Sequence, residues 1–319
     1  MCRIGLSGFN VASGLGVVNR QLCNYLPITS WFETKHKHFC TLPFPEEIKT
    51  TRDPEEFLQG LDIVLFAENP LLVSLTRAKE LGKRVVCVMM QEWMPADLSS
   101  WPSQVDLFIC PTYHGYLQYK NLFPCVHFPW PIETDLFPFL QKDECERFLF
   151  INGHGGWQDR KGGDIVRKAK TIWPDMPLVV HSQADANHWP ATTEVHGPVK
   201  NPSDMYAAGD VLIAPHRADG IGLELLEAAS SGLPLIATNG QPWNELPNLI
   251  AAIPAARGKR KIRREVDWYE PSVEGLVAIC KVALGTCIDE DSRKMRAWAE
   301  QRSWSNLAGA FLETIEGKK

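Results

Sequence analysis

No C-x-x-C pair and no zinc-type cysteine spacing occurs in these 319 residues; the nine cysteines are scattered along the chain. An odd count spread over predicted strands and helices fits reduced, mostly buried thiols in a cytosolic protein. No apolar run approaches the roughly 18–20 residues that span a bilayer. The opening Met-Cys-Arg-Ile-Gly-Leu-Ser-Gly has too little apolar length for a secretory signal, so the expected location is cytoplasmic. Basic charge is not in excess either. A formal net charge of -5 gives no global pull toward nucleic acid or an anionic membrane. Internal repeats and low-complexity segments are missing, as is a D-x-D motif of the kind that holds a divalent ion, so no metal and no cofactor is expected. What is present is ordinary for a globular protein, 45% hydrophobic and 22% charged residues. The length suits two α/β domains of about 150 residues each.

Strand and helix patterns alternate through both halves. Arg3–Ser7 reads as a strand, followed by Ser13-Gly14-Leu15-Gly16 and a helical stretch. Asp62–Ala67, Arg84–Met90 and Asp106–Cys110 are continuous apolar runs of the kind buried in parallel sheets. Helix Leu71–Leu81 precedes Gly82, a sound C-terminal stop. After a proline-rich connector, Phe128–Phe139, the alternation restarts with strand Arg147–Asn152 and a polar, glycine-rich loop. Helix Asp164–Trp173, strand Pro177–His181, short helix Pro202–Ala208 and strand Asp210–Pro215 follow. Helices near Ser272–Leu284, Ser292–Arg302 and Trp304–Ile315 end the chain. This order predicts an α/β protein with two doubly wound domains facing each other across a cleft.

Residues Asp219–Thr238, D-G-I-G-L-E-L-L-E-A-A-S-S-G-L-P-L-I-A-T, carry the most information. They read as a Gly-bearing turn, a short helix, a glycine stop and a β-branched strand. Asp219 lies in the turn, and Glu227 is expected about two turns into the helix at ~3.6 residues per turn. Such a unit offers backbone N–H groups and a positive dipole end to an anion, and Glu227 offers an acceptor to hydroxyl groups. The pattern points to a phosphate-bearing, hydroxyl-rich ligand.

With these motifs in this order the chain resembles the retaining glycosyltransferases of family 4 (glycosyl transferases group 1), which have the GT-B fold of two Rossmann-like domains. Gly14-Leu15-Gly16 stands where that family has its first glycine loop. Pro131–Phe137 is similar to its interdomain connector, Arg160-Lys161-Gly162-Gly163 to its basic turn, and Met205–Pro215 to the unit before its acidic motif. Asp219-x7-Glu227 corresponds to E-x7-E, and Glu300–Ser305 to the start of the C-terminal helix. The first acid is Asp219 here, one methylene shorter than the family's glutamate. Met89-Met90-Gln91-Glu92-Trp93 stands where the family often places a histidine.

The resemblance implies residues 1–133 as an acceptor-side domain and 134–303 as a donor domain, with helix 304–319 packing back on the first. It implies transfer of a hexosyl group from a nucleoside-diphosphate sugar, with a UDP-sugar the first choice, to a hydroxyl acceptor, independently of metal. The negative charge of a departing diphosphate needs a cationic or dipolar partner. Arg160 and Lys161 suit that role, though such a pair also occurs in solvated turns. Asp219 with the backbone of Gly220, Ile221, Gly222 and Leu223 would hold the sugar hydroxyls. Glu227 would accept from the ribose, and Val199 would lie against the nucleobase. Gly14 and Gly16 either approach a phosphate or simply form a tight turn. Glu92, at a strand end, either orients an acceptor or is a satisfied buried carboxylate. The alternative reading is a non-catalytic nucleotide-sugar or nucleic-acid binding module.

One basic segment stands apart, Arg257-Gly258-Lys259-Arg260-Lys261-Ile262-Arg263-Arg264, expected as a loop. Lys259, Arg260, Lys261 and Arg263 are candidate contacts for a polyanion. That leaves the acceptor open between a glycan or polar metabolite and a hydroxymethylated DNA base, the latter by fold analogy only.

Overall fold

The computed structural model describes residues 2–33, 41–155, 157–183, 188–246 and 249–318. The chain divides into two compact units. One comprises Met1–Pro131, Ile262–Arg264 and Trp304–Lys319; the other comprises Ile132–Lys261 and Glu265–Ser303.

The first unit runs β1 (Ile4–Gly8), α1 (Gly14–Tyr25), β2 (Ile28–Glu33), β3 (Lys49–Thr51), α2 (Pro54–Leu58), β4 (Ile63–Ala67), α3 (Leu72–Glu80), β5 (Arg84–Val88), β6 (Leu107–Cys110), α4 (Tyr113–Tyr119) and β7 (Cys125–His127). Its strands form one seven-stranded sheet in the order β3-β2-β1-β4-β5-β6-β7. All of its strand pairs are parallel, with Ile4 opposite Ile63 and Leu6 opposite Leu65 at the centre. The apolar runs are buried because helices cover both faces of such a sheet; every residue of β4 and β6 is buried. Phe32, Phe57, Phe66, Trp101 and Phe108 fill one core. Ser13 caps α1 by accepting from the Gly16 amide at 3.3 Å.

The second unit runs β8 (Phe148–Gly153), α5 (Gly163–Ile172), β9 (Leu178–Ser182), β10 (Glu194–His196), α6 (Asp204–Ala207), β11 (Val211–Ala214), α7 (Leu223–Ser230), β12 (Leu235–Thr238), β13 (Leu249–Ile253), β14 (Ala255–Lys261), β15 (Glu265–Pro271), α8 (Val273–Ala283) and α9 (Asp289–Gln301). A six-stranded parallel sheet has the order β10-β9-β8-β11-β12-β13. Phe148, Phe150, Val180, Ile213, Ile236 and Leu276 belong to its core. The last helix of the chain, α10 (Trp304–Glu316), is counted with the first unit. Trp304 stacks on Tyr25 at 5.0 Å and meets Trp130 edge-on at 5.5 Å. Among the described residues no helix is long and apolar enough to cross a membrane.

Each unit is thus a doubly wound, Rossmann-like domain, as the alternation predicted. Three expectations need correction. The basic segment is not a loop. β14 and β15 form an antiparallel hairpin with Arg257 opposite Tyr269, Lys259 opposite Asp267 and Lys261 opposite Glu265. Glu227 is not two turns into its helix, because α7 starts at Leu223 and places it little more than one turn in. A literal Asp-x-Asp triplet does occur, Asp289-Glu290-Asp291, but it fills the first turn of α9. Acids suit that positive helix end, and Asp289 pairs there with Arg293 at 2.5 Å.

Candidate functional site

In the second unit the chain proceeds from β8 outward to β9 and β10, then returns to the other side of β8 as β11. The loops leaving the carboxyl ends of β8 and β11 therefore diverge, and a crevice opens between them. Open α/β sheets bind ligands at such switch points. The loop after β8 carries Arg160 and Lys161; the loop after β11 carries His216, Arg217 and Asp219, and leads into α7.

The two loops touch at backbone level. Gly162 has φ +75, and a Cβ there would lie 2.1 Å from the Pro215 carbonyl oxygen. Only glycine permits both the left-handed conformation and the approach. Before it, Gln158 and Asp159 have φ 51 and 54, left-handed without being glycine. Each costs on the order of 1–3 kcal/mol and persists only where surrounding contacts over-determine it. Part of that support comes from Asp159, whose carboxylate accepts from the amides of Gly163 at 2.9 Å and Asp164 at 2.8 Å at the start of α5.

The side chains between the loops form a charged network. Arg160 lies 3.7 Å from Asp219, and Lys161 pairs with Glu224. His216 stands between the same two acids, with Nδ1 3.3 Å from Asp219 and Nε2 3.2 Å from Glu224. Asp219 also accepts from the Gly220 amide at 2.8 Å. Burial opposes its charge, but Lys161, His216 and Arg160 outweigh that and hold its carboxyl well below the usual carboxylate range. Gly222, at φ +73, turns the chain into α7, and no side chain caps the start of that helix.

One turn further, Tyr206 on α6 donates to Glu227 Oε2 at 2.5 Å. Glu227 is pushed up to about 8, chiefly by burial and further by the charges of Glu224 and Glu133, against the Tyr206 bond and Lys161. Burial and the Glu227 charge likewise push the Tyr206 hydroxyl up. Val199 is half-buried, in the segment between β10 and α6.

The structure therefore brings Arg160, Lys161, Asp219, Gly220, Ile221, Gly222, Leu223 and Glu227 to one end of one sheet. It also adds residues that sequence reasoning passed over, namely His216, Glu224 and Tyr206. Glu224 had a signal, since it lies three positions before Glu227 and so on a neighbouring helix face. His216, Asp219 and Glu224 hold ligand atoms within 4.8 Å of one another, a spacing open to a metal ion. Each His216 nitrogen faces a different carboxylate, and an ion held there would have to displace the Lys161 ammonium from Glu224.

Gly14, Gly16 and Glu92 lie in the first unit. A Cβ on Gly16 would meet the Val11 carbonyl oxygen at 1.9 Å, so packing alone accounts for that glycine. Glu92 is buried just beyond β5. The hairpin's cations are largely engaged. Arg257 and Lys259 share Asp267 at 3.1 and 2.8 Å, and Arg260 lies over Trp268 at 4.5 Å. Arg263, counted with the first unit, donates to Asn69 at 2.8 Å. Lys261 is exposed on β14.

Residues 174–251 match the family described as "Glycosyl transferases group 1". The lipopolysaccharide core biosynthesis mannosyltransferase LpsB of Rhizobium meliloti (strain 1021) is 28% identical over 142 residues, 36% of this chain and 40% of its own length. The match thus spans well under two thirds of that relative. Anabaena HepE, solved in complex with UDP and glucose, superposes with a TM-score of 0.72 at 12% identity, covering 99% of this chain and 100% of that one. Sucrose-phosphate synthase from Thermosynechococcus elongatus gives a TM-score of 0.66 at 13% identity, with 100% of both chains covered. At such identities these likenesses establish the fold. The chain resembles the GT-B glycosyl transferases of group 1 both in architecture and in the sequence of residues 174–251.

Proposed function

We propose that this chain is a retaining glycosyltransferase that moves a hexosyl group from a nucleoside-diphosphate sugar, a UDP-sugar, to a hydroxyl acceptor. The observation that carries the reading is the pairing of Arg160 and Lys161 with an uncapped α7 start at the switch point of the second sheet. As the C1–oxygen bond to the diphosphate breaks, negative charge grows on the leaving group. Fixed cations and helix N–H groups stabilise that charge more than they stabilise the bound substrate. Arg160 and Lys161 take this role. The Asp219 carboxylate and the turn Gly220–Leu223 hold the sugar hydroxyls. Glu227, with one oxygen engaged by Tyr206, takes the ribose through the other. Val199 lines the nucleobase side.

The acceptor oxygen forms its bond to C1 on the face that the diphosphate leaves, and its proton passes to the departing phosphate oxygen. No protein base enters that step, and Glu92 orients the acceptor. No metal takes part; the cations of the turn supply the positive charge. The acceptor is a glycan or polar metabolite. The hairpin, which sets Arg257, Lys259 and Lys261 on alternate positions of one strand, favours as a second reading an anionic acceptor such as DNA carrying a hydroxymethylated base. Asp267, placed between two of those cations, works against it.

The reading is tested by calorimetry of UDP, GDP, ADP and their common sugars, with and without magnesium, followed by donor turnover. Saturable binding of a UDP-sugar with turnover is expected. Binding without turnover would leave a nucleotide-sugar binding module, and no binding from a folded sample would overturn the reading.

A further inference from the structure

Arg217 lies between His216 and Asp219, yet it points away from their network and is 6% exposed. Its guanidinium forks onto Asp164 at 2.6 and 3.0 Å, in the first turn of α5. It donates through Nε to Glu270 on β15 at 2.9 Å and through Nη1 to the Asp159 carbonyl at 2.8 Å. Its own amide donates to the Arg160 carbonyl at 2.7 Å, and its carbonyl accepts from the Tyr269 amide at 2.9 Å. One residue thus holds the carbonyls of both Asp159 and Arg160, the second of the two left-handed non-glycine residues and the first cation after it. Glu270 is fixed in turn by Trp268, whose indole donates to its other oxygen at 2.7 Å.

Left-handed Gln158 and Asp159 on one side and Gly162 on the other bracket Arg160 and Lys161. A turn so bent reverts to an ordinary conformation unless something fixes it. The Asp159 carboxylate fixes the end toward α5, and the Gly162 amide closes the turn onto the Asp159 carbonyl at 2.9 Å. Arg217 ties that closed turn to the loop after β11 and to β15, through both carbonyls that flank Arg160. An ammonium could not replace its side chain, because lysine has no planar fork with which to meet a carboxylate, a second acid and a carbonyl together.

We infer that Arg217 is a positioning residue, which holds the Arg160–Lys161 turn in the shape that receives the donor diphosphate and anchors that turn through Glu270 to the β14–β15 hairpin. The inference rests on the proposed function. It makes the hairpin base part of the donor-binding apparatus, although no hairpin residue needs to touch the donor.

The probe is UDP, titrated calorimetrically into the full chain, with a thermal melt for every variant. Arg217→Lys, still folded, is expected to weaken UDP binding by roughly tenfold or more, as displacement of a positioned group by about an ångström does. In an Arg160→Ala background the same change should cost about threefold or less, because the two residues act through one turn. Glu270→Gln should weaken binding in the same direction and by less. A purely structural role would lower the melting point and leave the cycle additive. Full multiplication of the Arg217→Lys and Arg160→Ala effects, or unchanged UDP affinity in folded Arg217→Lys, overturns the inference. Should Arg217→Lys fail to fold, Glu270→Gln decides, and unchanged affinity there overturns it. Wild-type protein that binds none of the nucleotides removes the proposed function as well, whereas wild-type binding with unaffected variants removes only the role of Arg217.

Discussion

Tyr206 and Glu227 share a hydrogen bond of 2.5 Å although one belongs to α6 and the other to α7. The tyrosine is fully buried, and the carboxyl is pushed up to about 8 because burial and two neighbouring acids disfavour its charge. The contact joins the helices before and after β11, and it sets which oxygen of Glu227 remains for a ligand.

The contribution of Glu227 to stability should therefore fall as pH rises. Glu227 ionises at about 4.5 when unfolded and at about 8 when folded. Between those values the folded state holds the extra proton, so the stabilisation is complete below the lower value and is lost through the upper one. The slope is at most about 1.4 kcal/mol per pH unit. Denaturant unfolding of wild type and Glu227→Gln across this range checks it: the glutamine variant should lose this part of the slope, and an unchanged slope would refute the assignment.

Lys161→Ala and Glu224→Gln should act in opposite directions on donor affinity. A charged hydrogen bond contributes about 1.5–3 kcal/mol, so the alanine variant should bind UDP about ten- to hundredfold more weakly. On the proposed function Glu224 would compete with the diphosphate for the same ammonium, so neutralising it should tighten binding. Calorimetry on both variants decides, and two changes of the same sign would contradict the site.

Two left-handed glycines separate conformational cost from steric cost. Gly82, at φ +66, has nothing within 4 Å of the place a Cβ would take, and Gly162 has the Pro215 carbonyl at 2.1 Å. Gly82→Ala should cost about 1–2 kcal/mol for the left-handed backbone alone. Gly162→Ala should cost roughly 2–4 kcal/mol, since the two loops must also part. Chemical denaturation of both variants measures the difference; equal losses would show that the loops yield easily.

Asp267 is the hairpin's principal counter-charge. Asp267→Asn should release Arg257 and Lys259 and raise the salt needed to elute the protein from heparin. Lys261→Gln should lower it, with stability unchanged to within about 0.5 kcal/mol because the residue is exposed. Elution indifferent to both changes would remove the hairpin as a polyanion surface.

The parallel strands were legible because burial on both faces requires continuous apolar runs, as in Ile63–Ala67 and Val211–Ala214. β2, Ile-Thr-Ser-Trp-Phe-Glu, mixes polar and apolar residues and offered no such run. The hairpin was hidden for a related reason. Ala255–Lys261 is almost wholly exposed and has no apolar alternation, and the apolar partner Trp268 lies on the other strand. Asp219 and Glu227 could be found from spacing within one segment. His216 and Arg217 could not be assigned that way, since their roles come from contacts such as Arg217 with Asp164, 53 positions away.

The partnership of Lys161 with Glu224 spans 63 positions. With β11 beside β8 it encloses β9, β10 and their helices in a closed chain loop. Closing such a loop is among the slow, long-range steps of folding. A nascent second unit would accordingly present its cations and carboxylates separately until its sheet is whole. Donor recognition would then report the completion of folding, and a bound donor would stabilise the entire unit by mass action instead of one loop.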